Sequence, residues 1–336
     1  MAMAWRAARP SAARSTSSYN GYSEPKSWPR CDELLPHALT LVEEAHRAGL
    51  ENADLARLLD GAANFLHGRG AFSSAEPLLR EAVGIGRRTL GSDHVEVGLW
   101  LNNLANIFLN SGRYGEAEPL YREAIEIGTV TLGRDNLRVA TRINNLAITL
   151  METGQHGEAE RLFREAIATV EKRLGRNHHM LAARLHNLAN LLARTGATAE
   201  AEALYRQAIA IGNATVGRDD PHVAAWVRQL ANLCRDGGRH EEAEPLYRQA
   251  IETMSASLSD AHPGVGRARE DLSLLLLRMG RADEARAEAV KAVSIQERSF
   301  GPDHAYTKIA ARVLADALDA LGRAPEAHAT RARHRV

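Results

Sequence analysis

Cysteine, aromatic residues and long apolar runs are all scarce in this chain of 336 residues. The only cysteines are Cys31 and Cys234, too few for a disulfide scaffold or a cysteine zinc site, so we expect a reducing, cytoplasmic setting. Aromatic residues make up 5% of the chain, and Ala and Leu carry most of its apolar content, which favours packed helices over a β-sandwich. No run approaches the roughly 18 uncharged apolar residues of a membrane span, so no membrane partner is expected.

Lysine is also rare, since Lys26, Lys172, Lys291 and Lys308 are the only four among 42 basic residues. None of them follows a glycine, which excludes a Walker A phosphate loop. The motifs C-x-x-C, H-E-x-x-H and G-x-S-x-G are absent as well. The 42 basic residues balance 42 acidic ones, which argues against non-specific nucleic-acid binding. We therefore expect no enzyme, no cofactor and no nucleic-acid partner.

A repeat of 42 residues dominates the rest of the chain. Seven blocks, the first starting at Ala53, align without insertion or deletion. A glycine recurs in every block, at Gly70, Gly112, Gly154, Gly196, Gly238, Gly280 and Gly322. An alanine follows five residues later, at Ala75, Ala117, Ala159, Ala201, Ala243, Ala285 and Ala327. Such a period predicts one supersecondary unit that stacks on copies of itself.

Each block reads as two amphipathic helices joined by a turn. In block two the first apolar stripe has helical spacing and runs through Val97, Leu101, Leu104, Ala105 and Phe108. Gly112 is expected to end that helix in a left-handed conformation. A second stripe follows at Ala117, Leu120, Tyr121, Ala124 and Ile125 and stops before Gly133. The pattern predicts antiparallel helix pairs whose apolar stripes are buried only when neighbouring pairs stack.

The block motifs resemble tetratricopeptide repeats of the kinesin light chain type. The residues that carry the resemblance are LNNLA at 101–105, GRY at 112–114, EAEPLY at 116–121 and TLGRD at 131–135. The resemblance covers about residues 53–336. It implies an all-α fold, a right-handed α-solenoid of antiparallel helix pairs in which the first helix of each pair lines a concave groove.

The division of the chain follows from these patterns. Residues 1–30, rich in Ser, Ala, Arg and Pro, are expected to be a disordered leader, with a mitochondrial transit peptide as the alternative. Residues 31–52 are expected to form an N-terminal capping helix, and 53–304 six repeats. Residues 305–336 are then a truncated seventh repeat that acts as a C-terminal cap.

By the resemblance, polar residues on the first helices are candidates for a peptide-binding groove. The candidates are Asn102, Asn103, Asn106, Asn110, Asn144, Asn145, His186, Asn187, Asn190, Arg194, Arg228, Asn232 and Arg235. Asparagine amides can pair with the backbone of an extended peptide whatever its side chains. The alternative for Asn103, Asn145 and Asn187 is a bond to a neighbouring helix that serves packing alone.

The basic candidates extend this hypothesis to the chemistry of the partner. Arg194, Arg228 and Arg235 would cluster in mid-groove and favour an acidic patch on the bound peptide. The alternative is that Asp236 and Glu270 neutralise them. Several histidines, such as His178, could suggest a metal, but histidine recurs at one loop position in four blocks, which favours a role in the repeat itself.

The sequence therefore predicts a non-catalytic scaffold or adaptor that binds a peptide or protein segment. One alternative is a sensor or assembly arm of a signalling system of the NB-ARC class, because residues 28–38 resemble the segment that precedes repeats in such proteins. The other is an enzyme with a dispersed active site. The oligomeric state and the identity of the partner stay open.

Overall fold

The structure is a computed structural model that describes residues 28–336. Over this range it consists of fifteen helices and no strand, which confirms the all-α fold. The helices are α1 (Trp28–Arg47), α2 (Ala53–Gly68), α3 (Phe72–Leu90), α4 (Val95–Asn110), α5 (Tyr114–Leu132), α6 (Leu137–Glu152), α7 (His156–Leu174), α8 (His179–Thr195), α9 (Thr198–Thr215), α10 (Pro221–Asp236), α11 (His240–Leu258), α12 (Pro263–Arg278), α13 (Ala282–Phe300), α14 (Ala305–Ala320) and α15 (Ala324–His334). The expected leader at 1–30 lies outside the described residues except for its last three positions.

The repeat period is visible directly in the helix boundaries. The first helix of every hairpin begins at the first residue of a 42-residue block, from Ala53 to Ala305. The second helices begin at the same spacing, from Phe72 to Ala324. The last of them, α15, is the shortest, with 11 residues.

The helices fall into two compact units, one that ends at Gly175 and one that spans Arg176–Val336. The first unit contains α1 to α7, and the second contains α8 to α15. In the first unit α1 joins the core of the hairpin that follows it, because Cys31 and Val42 are buried in one cluster with Leu59 and Phe65. In each unit the helix hairpins follow one another as the repeat predicts.

The turn inside each hairpin has one conformation throughout. Gly112 has a φ of 73°, and the six glycines equivalent to it also have positive φ. The N–H of Arg113 donates to Phe108 O at 2.8 Å, and that of Gly112 donates to Leu109 O at 3.1 Å, which satisfies carbonyls at the end of α4. The predicted left-handed glycine is therefore confirmed.

The recurring loop histidines cap helices. The Nδ1 atom of His94 accepts the N–H of Glu96 at 3.3 Å at the start of α4. His178, His262 and His304 make the same contact, with distances of 3.1–3.2 Å. Histidine thus takes the place of the Asn or Asp side chain that usually accepts a helix-capping bond.

Consecutive hairpins fit together through paired large and small side chains. Trp100 on α4 is 1% exposed and packs where α3 has Gly86, and a Cβ atom there would lie 2.3 Å from Trp100 Cζ3. The same fourteen-residue relation joins Gly212 to Trp226 in the second unit. Arg142 lies over Gly128 in the same way and donates from Nη1 to Ala124 O at 2.5 Å. The glycine on one helix therefore leaves the space that a large side chain on the next helix fills.

Candidate functional site

The candidate residues of the first unit are largely buried. Asn102, Asn103, Asn144 and Asn145 have exposed fractions of 9, 3, 1 and 5%. The amide of Asn144 donates to Asn145 Oδ1 at 3.3 Å, and Asn102 donates to Asn103 Oδ1 at the same distance. Each pair of adjacent asparagines therefore shares a hydrogen bond within one helix.

These amides also bond to the preceding repeat. Asn145 on α6 donates from Nδ2 to Asn106 Oδ1 on α4 at 3.0 Å. Asn103 on α4 donates to Asp60 Oδ1 on α2 at 2.7 Å. The contacts are of the kind that the packing alternative for Asn103 and Asn145 requires, and they tie three first helices together.

Asp60 belongs to this network, although sequence reasoning missed it. Its side chain is 2% exposed and also accepts from Asn64 Nδ2 at 2.7 Å. Asp60 stands 42 residues before Asn102, so the repeat alignment that selected Asn102 could have found it. A buried carboxylate with two amide donors is a satisfied polar group rather than an exposed charge.

Three more candidates accept a hydrogen bond from a tyrosine of their own hairpin. Asn106 Oδ1 lies 2.6 Å from the Tyr121 hydroxyl, and Asn190 Oδ1 lies 2.6 Å from that of Tyr205. Asn232 has the same relation to a tyrosine on α11. Burial raises the pKa of Tyr121 and Tyr205 well above the ordinary value, so each hydroxyl keeps its proton and donates it. One face of each asparagine therefore serves the hairpin.

In the second unit, His186 on α8 occupies the position equivalent to Asn144. Its Nε2 lies 3.0 Å from Asn190 Nδ2, and its ring lies 5.6 Å from that of Tyr205 and 5.8 Å from that of Trp226, stacked on the latter. Burial, reinforced by the charge of Arg228, lowers the pKa of His186 to about 3. The imidazole is therefore neutral, and Nε2 accepts from the amide.

The predicted basic cluster is largely neutralised. Asp271 on α12 accepts from Arg228 Nη1 at 2.5 Å and from Arg235 Nη1 at 3.4 Å. Arg235 also pairs with Asp236 at 3.0 Å. The expected pairing of Asp236 with an arginine therefore has a matching contact at Arg235. Arg228, in contrast, pairs with Asp271, which the sequence analysis did not name.

Glu270 makes no hydrogen bond or ion pair with any described residue. Burial raises the pKa of Glu270 to about 7, and the adjacent Asp271 adds to the effect. The charges of three arginines nearby oppose the shift without cancelling it. Near neutral pH this carboxyl group is therefore about half protonated, which makes it an acid that changes charge in the middle of a first-helix surface.

The remaining candidates are more accessible. Asn110 is exposed and contacts His67 Nε2 through Nδ2 at 2.7 Å. Asn187 is half-buried and Arg194 is exposed, both on α8. The accessible polar residues of the first helices thus lie mainly in the second unit.

The described residues contain neither a membrane-spanning helix nor a metal-binding cluster. No helix in the range 28–336 is both long and apolar enough to cross a bilayer. In the same range no three His, Cys, Asp or Glu side chains come together in a way that could hold a metal ion.

Comparisons with known proteins agree with this architecture. The tetratricopeptide repeat family model matches residues 54–129, 132–214, 222–293 and 272–330. The chain therefore belongs to the tetratricopeptide repeat family. A comparison with curated proteins finds no significant match.

Several solved structures are similar to this chain. Kinesin light chain-type TPR-like repeats of Podosopora anserina are 26% identical, with a TM-score of 0.51 over 59% of this chain and 94% of that one. The predicted resemblance to repeats of this type is therefore confirmed. The apo quorum sensor NprR from B. thuringiensis shares the fold at 15% identity, with a TM-score of 0.65 over 93% of this chain and 85% of its own. The Rap conjugation gene regulator of plasmid pLS20, solved with the Phr* peptide, also shares the fold. It is 15% identical, with a TM-score of 0.62 over 84% of this chain and 73% of its own.

Proposed function

We propose that this protein is a non-catalytic scaffold that binds a peptide or protein segment along the first helices of its repeats. The observation that carries the proposal is a column of polar residues, one per repeat, where a helix buried for packing alone would carry apolar side chains. Its members on α4 to α12 are Asn102, Asn144, His186, Arg228 and Glu270. Fold neighbours support the same role, since the Rap regulator was solved with a peptide bound.

The accessible polar residues beside this column direct the proposal to α8 and α10. Asn187, Gln229 and Asn232 are half-buried there, and Arg194 is exposed. Amides spaced one repeat apart offer donors and acceptors to an extended backbone, which would give affinity with little dependence on ligand side chains. Arg194 then favours a ligand with a carboxylate near this segment, because a guanidinium group binds a carboxylate through two parallel hydrogen bonds.

Selection of a phage-displayed random peptide library against the full chain, followed by calorimetry of the selected peptides, tests the proposal. The double variant Asn187→Ala/Arg194→Ala should weaken the selected peptides at least about tenfold while the melting temperature stays unchanged. The matched control is Gln207→Ala/Gln249→Ala, two exposed residues on the second helices α9 and α11. Equal losses in both double variants would exclude the first helices as the binding surface.

A further inference from the structure

The sixth repeat has a half-buried ion pair where the first five repeats have two apolar residues. Arg269 Nη1 on α12 lies 2.6 Å from Glu288 Oε2 on α13, and the two side chains are 16% and 15% exposed. The same positions, nineteen residues apart, hold Ala311 and Thr330 in the seventh repeat and an apolar pair in each of the first five. The apolar pairs are Leu59/Leu78, Leu101/Leu120, Ile143/Leu162, Leu185/Leu204 and Val227/Leu246.

Stability does not explain this exchange. A buried ion pair is often no more stabilising than apolar residues of similar size, because desolvation of the two charges offsets their attraction. Burial also opposes the ionisation of Glu288, yet hydrogen bonds from Lys291 and Arg269 outweigh it and hold the pKa of Glu288 below its ordinary value. The repeat therefore retains two charges at a site that packs apolar side chains in five other copies, which is typical of a functional position.

The ion pair forms part of the wall of an open cleft of about 540 Å³ in the second unit. Apolar side chains contribute to its lining, namely Ile251, Ala256 and Leu272, and polar ones complete it, namely Arg248, Glu252, Ser255, Asp260, Arg269 and Glu288. The Ser255 hydroxyl oxygen is buried and has no hydrogen-bond partner among the described residues. The cleft thus combines an apolar surface with an unused polar atom.

The charges of the cleft leave an acidic surplus. Arg248 binds Glu244 at 2.7 Å, and Arg269 binds Glu288, so both cations already have close partners. Glu252 has no ion pair with any described residue, and Asp260 lies 3.8 Å from Arg269 and is 83% exposed. Glu252 is therefore available to a cation, and the exposed Asp260 can exchange its long contact with Arg269 for a closer one.

We propose that this cleft is a second binding site, which receives a lysine or arginine side chain of a partner protein. The aliphatic stem of that side chain packs on Ile251 and the exposed Ala256, and its charged head binds Glu252 and Asp260. The site is distinct from the peptide surface proposed on α8 and α10, because most of its lining comes from the second helices α11 and α13.

An equivalent cleft in the first unit provides a control within the same chain. It lies 126 residues earlier and has a volume of about 330 Å³. Glu126 there corresponds to Glu252, but Arg134 stands in the place of Asp260, and the apolar pair Ile143/Leu162 stands in the place of the ion pair. Arg134 is itself paired with Glu165 at 2.7 Å, so this cleft lacks the second carboxylate that Asp260 supplies and should not bind a basic ligand.

Methyl NMR of the full chain, labelled at Ile and Leu, tests the site with N-acetyl-arginine methylamide and N-acetyl-lysine methylamide as probes. Saturable shifts are expected at the methyl groups of Ile251 and Leu272 and not at those of Ile125 and Leu146. N-acetyl-glutamate methylamide should produce neither. Equal shifts in the two clefts, or none in either, would overturn the proposal.

Two sets of variants complete the test. Glu252→Gln/Asp260→Asn should weaken the arginine probe at least about tenfold with no change in melting, whereas Glu126→Gln should leave it unaffected. Undiminished binding in Glu252→Gln/Asp260→Asn refutes the site. Because the cleft includes no residue of α8 or α10, loss of the proposed peptide function would leave this result unchanged.

Discussion

The Tyr247 hydroxyl donates a hydrogen bond to Asn232 Oδ1 at 2.5 Å, across the two helices of one hairpin. The two positions, fifteen residues apart, change together along the chain. Where the third repeat has Phe163, the partner position holds Ile148, so both are apolar. In the last repeat the two positions hold Arg331 and Asp316, which pair at 3.1 Å. Six hairpins thus satisfy this contact with matched chemistry, whereas the first has Asn64 opposite the apolar Leu79, and Asn64 donates to Asp60 instead.

Removing only the tyrosine hydroxyl should lower the stability of the protein, because the asparagine opposite it loses its hydrogen-bond donor. Tyr247→Phe leaves Asn232 Oδ1 without its donor, so we expect the free energy of unfolding to fall by about 1–2 kcal/mol. Urea denaturation at constant pH measures the loss. The double variant Asn232→Ile/Tyr247→Phe, which reproduces the apolar pair of the third repeat, should recover most of it. If the double variant lost more free energy of unfolding than the two single variants lose together, the two positions would not be paired.

Filling the space above Trp100 should destabilise the first unit. Gly86→Ala places a Cβ atom against the indole ring, so we expect a loss of about 1–3 kcal/mol from overpacking. Thermal unfolding followed by circular dichroism measures it. Gly157→Ala is the control, because nothing lies within 4 Å of its added methyl group and alanine favours the helix, so its stability should rise slightly.

Ser259 is a position at which a glycine should stabilise the protein. Its φ is 107°, and the residues 42 positions away on either side, Gly217 and Gly301, are glycines with φ of 100° and 86°. Because a side chain is strained in this region, Ser259→Gly should raise the free energy of unfolding by about 1 kcal/mol. Chemical denaturation tests it, and a lower midpoint for the variant would show that the Ser259 conformation is not strained.

Glu270 should make stability depend on pH in a defined window. Its pKa is raised from 4.5 to about 7, so between these values the native state holds a proton that the unfolded chain releases. Stability contributed by the protonated form is therefore lost as pH rises through that window. Glu270→Gln cannot lose the proton, so at pH 8 it should exceed the wild type by about 2–3 kcal/mol, and near pH 4.5 the two should agree. Denaturation curves from pH 4.5 to 8 measure the difference, and parallel profiles would refute it.

Sequence reasoning predicted the helices well because their determinants are local and repeated seven times. The block boundaries coincide with the starts of the first helices, and Gly112 and its equivalents end them as expected. The candidate site was less predictable, because its contacts join residues about one repeat apart. The exposed fraction of Asn144 and the bond between Arg228 and Asp271 depend on how neighbouring helices pack, which the pattern of a single block does not specify.

The matched glycine and tryptophan positions also bear on how such a chain avoids misfolding. Near-identical hairpins could pair with the wrong neighbour during folding, displaced by a whole block. Trp226 packs against Gly212, whereas the residue equivalent to Gly212 in the next block is Met254 and the one equivalent to Trp226 is the small Ala268. A displaced chain would bring indole against methionine at one junction and leave a void at another. Differences between otherwise similar hairpins thus determine which neighbour each one packs on. Exchanging two of these hairpins should therefore lower the stability of the protein.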